Sequence, residues 1–193
     1  VLIIILVVAG FLSVRHFYFQ PREVKAQAAM YKGEIYFAKD SFELALKGNG
    51  ADFVGFEAIA DDYSSTKAGN LAAAYAGICY YNLGKDAEAL AYLKKFDGDD
   101  AFLSPNIEAM IGNCYANMDQ YDDAIKAFEK AAKKADNEMA SPIFLQKAAT
   151  VAEKMGNYKK ALDFYQKIKD EYSQSMIGRD IDKYIERAKA HVK

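Results

Sequence analysis

Three pairs of adjacent carboxylates, Asp61-Asp62, Asp99-Asp100 and Asp122-Asp123, are the first candidates for chemistry in this chain. A general acid and base must converge on one reacting atom, and neighbouring residues on a helix point in different directions. The pairs therefore read as solvated faces, or as first-turn acids that complement a helix dipole. Asp97-Gly98-Asp99-Asp100 partly resembles a calcium loop but lacks the distal Glu and the alternation of ligands. Gly48-x-Gly50 lies between helical patterns with no strand before it, and so does not read as a dinucleotide site. His16 and His191 have no Ser or Cys partner at a catalytic spacing. Cys79 and Cys114 are too few for a cysteine-based zinc site, and the histidines are distant in sequence. The sequence thus predicts no catalytic residue, no metal and no cofactor.

Asparagines are the polar residues whose spacing does suggest a task. Asn82 and Asn117 lie 35 residues apart, and Asn113 precedes Asn117 by one helical turn. An amide donates and accepts at once, which suits the backbone of an extended peptide. Tyr81, Asn106, Gln146, Thr150 and Lys154 are expected on the same face. The competing reading is that Asn82 and Asn117 merely end their helices, where Asn is a favoured residue.

A repeat must position these residues. Gly77, Tyr80, Gly84 and Ala89 recur as Gly112, Tyr115, Asp119 and Ala124, 35 residues on. Tyr121, Ala124 and Phe128 recur as Tyr158, Ala161 and Tyr165, 37 residues on. Small residues at fixed places between two helical patterns, with a period near 34, resemble the tetratricopeptide repeat. The resemblance implies an all-α fold, a right-handed superhelix of helix pairs whose first helices line a concave groove. Repeats are expected at about 23–47, 70–96, 107–135 and 142–172, an extra helix at about 52–63 and a capping helix at about 176–190. In the best repeat the family's Trp position is Glu108 and its terminal Pro position is Asp136. Ser104-Pro105 and Ser141-Pro142 read as an N-cap followed by Pro at the first helical position.

Residues 1–14, VLIIILVVAGFLSV, carry no charge and precede Arg15, His16 and the aromatic Phe17, Tyr18 and Phe19. A run apolar on every face is not an amphipathic repeat helix. Residues 1–20 read as a single transmembrane anchor with an aromatic belt at its end, and Pro21 as its end or a kink. Fourteen residues of helix fall short of the roughly 30 Å hydrocarbon core, so the span is expected to begin upstream of residue 1. A signal peptide is the rival reading. Basic residues after the span point to the cytoplasm, but the other flank is needed to set the orientation. Residues 22–193 are then one repeat domain.

A second echo runs at 109 residues. Phe56-x-x-Ile59-x-Asp61-Asp62-Tyr63-Ser64-x-Thr66-x-x-Gly69 recurs as Tyr165-x-x-Ile168-x-Asp170-Glu171-Tyr172-Ser173-x-Ser175-x-x-Gly178. This Tyr-Ser turn resembles periplasmic tetratricopeptide proteins of the bacterial envelope, including the outer-membrane assembly lipoproteins. With a membrane helix in place of a lipidated Cys, the chain resembles the ancillary subunit of the SecYEG translocon more than it does those lipoproteins. That resemblance implies a non-catalytic scaffold anchored in the inner membrane with a periplasmic repeat domain. Its partners would be a protein or extended peptide, the SecYEG translocon and periplasmic chaperones. An outer-membrane assembly factor or other envelope adaptor is the alternative, and an enzyme on a helical scaffold the third choice.

The charge balance, 25 basic against 27 acidic residues, lacks the basic excess or stripe of a nucleic-acid binder. Cys79 and Cys114 occupy one repeat position. Helices pack about 8–10 Å apart, while a disulfide needs Cα atoms within about 7 Å, so two buried thiols are expected.

Overall fold

The computed structural model describes residues 2–192, with side chains from Ile3 onward. Among these residues every regular element is helical. The chain divides into two compact units, one ending at Phe96 and one starting at Asp97.

The first unit opens with α1 (Leu2–Val14), a π-turn (Arg15–Phe19) and α2 (Gln20–Phe37). These form one uninterrupted helical run, and Ile3–Phe37 is long and apolar enough to cross a membrane. Pro21 does not end this helix, which removes the first of the two outcomes expected from the sequence. A proline inside an α-helix has no N–H to give and crowds the carbonyl four residues back. Here the preceding turn is widened, and the Gln20 N–H reaches the Arg15 carbonyl, one residue further than in an α-helix. The backbone absorbs Pro21 without a break.

α2 packs on α3 (Phe42–Lys47), α4 (Phe56–Asp62) and α5 (Lys67–Asn82), and α6 (Asp86–Leu93) closes the unit against α5. Gly77 faces Leu93, where an added Cβ would lie 2.6 Å from the Leu93 side chain. Between α3, α4, α5 and α6 runs a polar brace. Lys47 pairs with Glu57, Glu57 accepts a hydrogen bond from the Tyr80 hydroxyl at 2.7 Å, and Lys95 pairs with Asp61 at 2.7 Å beneath its own ring partner Tyr92.

The second unit is built from α7 (Leu103–Asn117), α8 (Tyr121–Ala135), α9 (Ser141–Lys154), α10 (Tyr158–Glu171), a 3-10 turn (Gly178–Asp180) and α11 (Asp182–Lys189). Each helix packs on the next, α7 on α8, α8 on α9, α9 on α10 and α10 on α11. The core runs along this stack through Phe128, Leu145, Tyr165, Ile168 and Ile181. Burying each such side chain stabilises the fold by roughly 1.5–3 kcal/mol. Gly112 meets the Phe128 ring, and an added Cβ there would fall 2.8 Å from a ring carbon. The helices of this pair thus approach too closely for any larger residue. Glu108, in place of the family's Trp, is buried and ties α7 to α8 through Lys130 at 2.6 Å and Lys134 at 3.1 Å.

Two helix starts differ from the Ser-Pro reading. α7 begins at Leu103, and the Asp100 carboxylate accepts from the Phe102 and Leu103 N–H groups at 2.8 and 2.6 Å. Before α9, Asn137 accepts from the Met139 and Ala140 N–H groups at 3.0 and 2.8 Å. Ser141 instead donates to the Ala132 carbonyl at 2.9 Å, fastening α9 to the end of α8. Ser104 is buried inside the first turn of its helix. In both places an earlier Asx side chain offers a stronger acceptor than the serine before proline.

Candidate protein-binding groove

The first helices of the two pairs in the second unit, α7 and α9, leave a groove between their N-terminal halves. Its volume is about 430 Å³. The helices sit where the Asp100 and Asn137 caps start them, so the Phe102 and Met139 side chains reach the groove mouth. Both are 81% exposed, and Ile143 beside them is 40% exposed. Met110 and Phe144 floor the groove. Large apolar side chains held open to water in this density mark an interaction site more often than chance exposure.

Polar contacts come from Asn106, Asn113 and Lys147. The Lys147 ammonium donates to the Asn113 carbonyl oxygen at 3.1 Å and lies 5.6 Å from the centre of the Phe128 ring. Lys147 is half-buried, and desolvation lowers its pKa below the ordinary lysine range. It is the one charged residue among the described residues lining the groove. The arrangement offers an apolar trough with an amide and an ammonium at one end. No group in it is placed to activate a nucleophile or move a proton between reacting atoms.

The eight residues anticipated from spacing divide clearly. Asn106 and Asn113 line the groove. Asn106 also donates to the Phe102 carbonyl of its own helix at 2.6 Å. Asn117 is exposed at the last position of α7. On α9, Gln146 is half-buried and its carbonyl accepts from the Thr150 hydroxyl at 2.9 Å. Lys154, two turns beyond Lys147 on the same face of α9, lies past the end of the trough, 3.6 Å from Asp119 and 4.7 Å from the centre of the Tyr121 ring. Tyr81 and Asn82 end α5 in the first unit, where Asn82 donates back to the Ile78 carbonyl at 2.8 Å.

Spacing alone missed Lys147, Met110, Phe102, Met139 and Ile143. A lysine in an amphipathic helix looks like a solvated face. The signal that could have found the others is the unusual run of large apolar residues around two helix starts.

A second hollow of about 480 Å³ lies on the second-helix side, between α8 and α10. Glu129, Lys133, Asp136, Lys167 and Glu171 rim it with both signs of charge. Ala132, Leu145, Phe164 and Tyr172 also line it, so a charged, solvated rim surrounds a partly apolar wall.

Tetratricopeptide repeat models match residues 75–97, 109–138 and 145–175. No curated protein matches the chain. The matched segments run from within α5, α7 and α9 through α6, α8 and α10, so tetratricopeptide repeats are detected in both units. Repeats of this kind are protein–protein interaction scaffolds, and their stacked surfaces generally hold other polypeptides.

Proposed function

We propose that this chain is a non-catalytic scaffold, anchored in the bacterial inner membrane by its N-terminal helix, that holds a polypeptide segment in the α7–α9 groove near the protein-export translocon. The observation that carries this reading is the groove itself: exposed Phe102, Met139 and Ile143 around the Asn113–Lys147 pair. An extended segment would set apolar side chains into the trough, and its backbone or an acidic group would meet the amide and the ammonium. Both Tyr-Ser turns and the uninterrupted apolar helix support the resemblance to the ancillary SecYEG subunit, with the repeats on the periplasmic side.

A photoreactive residue in place of Ile143, in the full chain in its membrane, tests the reading. Adducts with translocon subunits, their chaperones or exported polypeptides are expected. Adducts confined to outer-membrane assembly components would favour the envelope-adaptor alternative. Absence of any polypeptide adduct would remove the groove from consideration as a binding site.

A further inference from the structure

The outer face of α2 is apolar and open. Val24, Ala28, Tyr31 and Ile35 are exposed, Val24 to 65% and Tyr31 to 66%. Their spacing of four, three and four residues is that of the a and d positions of a heptad. Ala26, Met30 and Gly33, the buried residues of the same helix, each follow a stripe residue by two positions, roughly 200° around the helix. One face of α2 therefore packs within its own unit, and the opposite face carries a separate seam.

Single exposed apolar residues are normal on a protein surface. Four in one narrow seam, bordered by Lys25 and Lys32 on one flank and Gln27 and Glu34 on the other, fit a partner helix. A helix lying on lipid presents a broader apolar face. α2 also continues the line of α1 through the π-turn, which directs it away from a bilayer that holds α1.

We infer that α2 pairs with α2 of a second copy of this chain in a parallel two-stranded coiled coil. The inference rests on the reading of α1 as a membrane span. Copies inserted in one orientation in one bilayer present their α2 helices parallel and at the same height. In that register each g position faces the e position of the following heptad in the other helix. Gln20 then meets Lys25 of the second copy, and Gln27, which donates to Glu23 of its own chain, lies beside Lys32, which is paired with Asp52 of its own chain. Antiparallel pairing would place Lys25 against Lys32 of the second copy, like charge on like charge. Ala28 opposite its own copy lets the helices approach closely just before the larger Tyr31 layer. Two heptads are short for a free coiled coil, and confinement to one bilayer supplies the local concentration that such a short seam requires. Ala9, Gly10 and Ser13 in α1 leave small-residue ground for the spans to approach as well.

Disulfide trapping in native membranes tests this pairing, with the full chain and its two buried native thiols as background. Val24→Cys and Ile35→Cys should each give, on mild oxidation, a species at twice the monomer mass, because parallel a and d positions face themselves. Glu43→Cys, exposed on α3, should give none. Adding Tyr31→Glu should abolish the Ile35→Cys dimer while the helical circular dichroism of the purified chain stays unchanged. A Val24–Ile35 mixed disulfide without the self-disulfides would overturn the parallel register. A cross-linked species of another mass would assign the seam to a different chain. Monomer throughout, in a chain that resists alkaline carbonate extraction, would overturn the pairing and leave the anchor standing. Release of the wild-type chain by carbonate would refute the anchor and the pairing together.

Discussion

Two corners of this protein share one bonding pattern yet open very different helices. At the first, the Thr66 hydroxyl donates to the Tyr63 carbonyl at 2.7 Å and accepts from the Gly69 N–H at 2.9 Å. At the second, Ser175 does the same with Tyr172 and Gly178, at the same two distances. A Cβ on Gly69 would fall 1.9 Å from the Tyr63 carbonyl oxygen, and one on Gly178 2.0 Å from that of Tyr172. The first corner opens α5, 16 residues with small buried side chains on several faces. It is covered by α2: the Glu23 carboxylate accepts from the Lys67 and Ala68 N–H groups at 2.7 and 3.2 Å, and Arg22 lies over the Tyr63 ring. The second opens the 3-10 turn Gly178–Asp180, then buried Ile181 and α11, eight residues of which Ile185 and Ala188 are buried, with Met176 at the corner 86% exposed. The turn motif makes the corner; the apolarity and length of the next helix decide whether the stack continues or is capped.

Breaking the two glycines gives the largest expected effects. Gly69→Val should cost about 3 kcal/mol or more, because the added carbon meets backbone in the middle of a unit. Gly178→Val should cost less, about 1–2 kcal/mol, since α11 can detach while α7–α10 keep their contacts. Urea titration of both variants measures the gap, and equal losses would mean that α11 is as integral as α5. Gly112→Leu, which drives a side chain into the Phe128 ring rather than into backbone, should fall between the two at roughly 1–3 kcal/mol.

The covering carboxylate sharpens the comparison at a smaller scale. Glu23→Gln should destabilise the first unit by about 1 kcal/mol, as loss of a helix-start acceptor does. An unchanged urea midpoint would mean that water replaces the carboxylate fully.

The brace behind α4 adds a pH signature that the second corner lacks. Burial opposes ionisation of Glu57, but hydrogen bonds from Lys47 and Tyr80 outweigh it and hold its pKa below the ordinary glutamate value. A carboxyl depressed in the folded state contributes stability above its unfolded pKa, near 4.3, and loses that contribution as pH falls through the lower folded value. Wild-type stability should therefore fall below about pH 4 more steeply than that of Glu57→Gln. Parallel pH profiles for the two would show that Glu57 is not the group responsible.

The smallest effect is chemical. Burial pushes the Cys79 thiol up to about 12, so its alkylation at pH 8 should follow unfolding. Rapid modification of the native chain, followed by intact-mass analysis, would contradict the packing of α5.

Much of this architecture was legible in the sequence, and the failures are physically specific. The glycines at 77 and 112 and the Tyr-Ser echo were readable because each marks a contact with room for only one residue type. The passage of the helix through Pro21 was not, because a proline normally stops a helix and nothing in Arg15–Phe19 announces a widened turn. The serines before Pro105 and Pro142 matched a capping pattern, yet Asp100 and Asn137 lie one turn earlier and accept the N–H groups first. At the groove, Asn113 was reachable from its amide chemistry. Lys147 was not, because its desolvation comes from neighbours on another helix, and the α2 seam was hidden by the buried face two residues out of phase with it.

The central claim is that partners bind the first-helix groove of the second unit. Photoreactive residues placed separately at Ile143 in that groove and at Lys133 in the α8–α10 hollow, each in the full membrane-bound chain, compare the two faces directly. The account predicts polypeptide adducts from position 143 that disappear when Asn113 and Lys147 are both changed to Ala, and none from position 133. Adducts from position 133 alone, indifferent to the Asn113 and Lys147 changes, would contradict it.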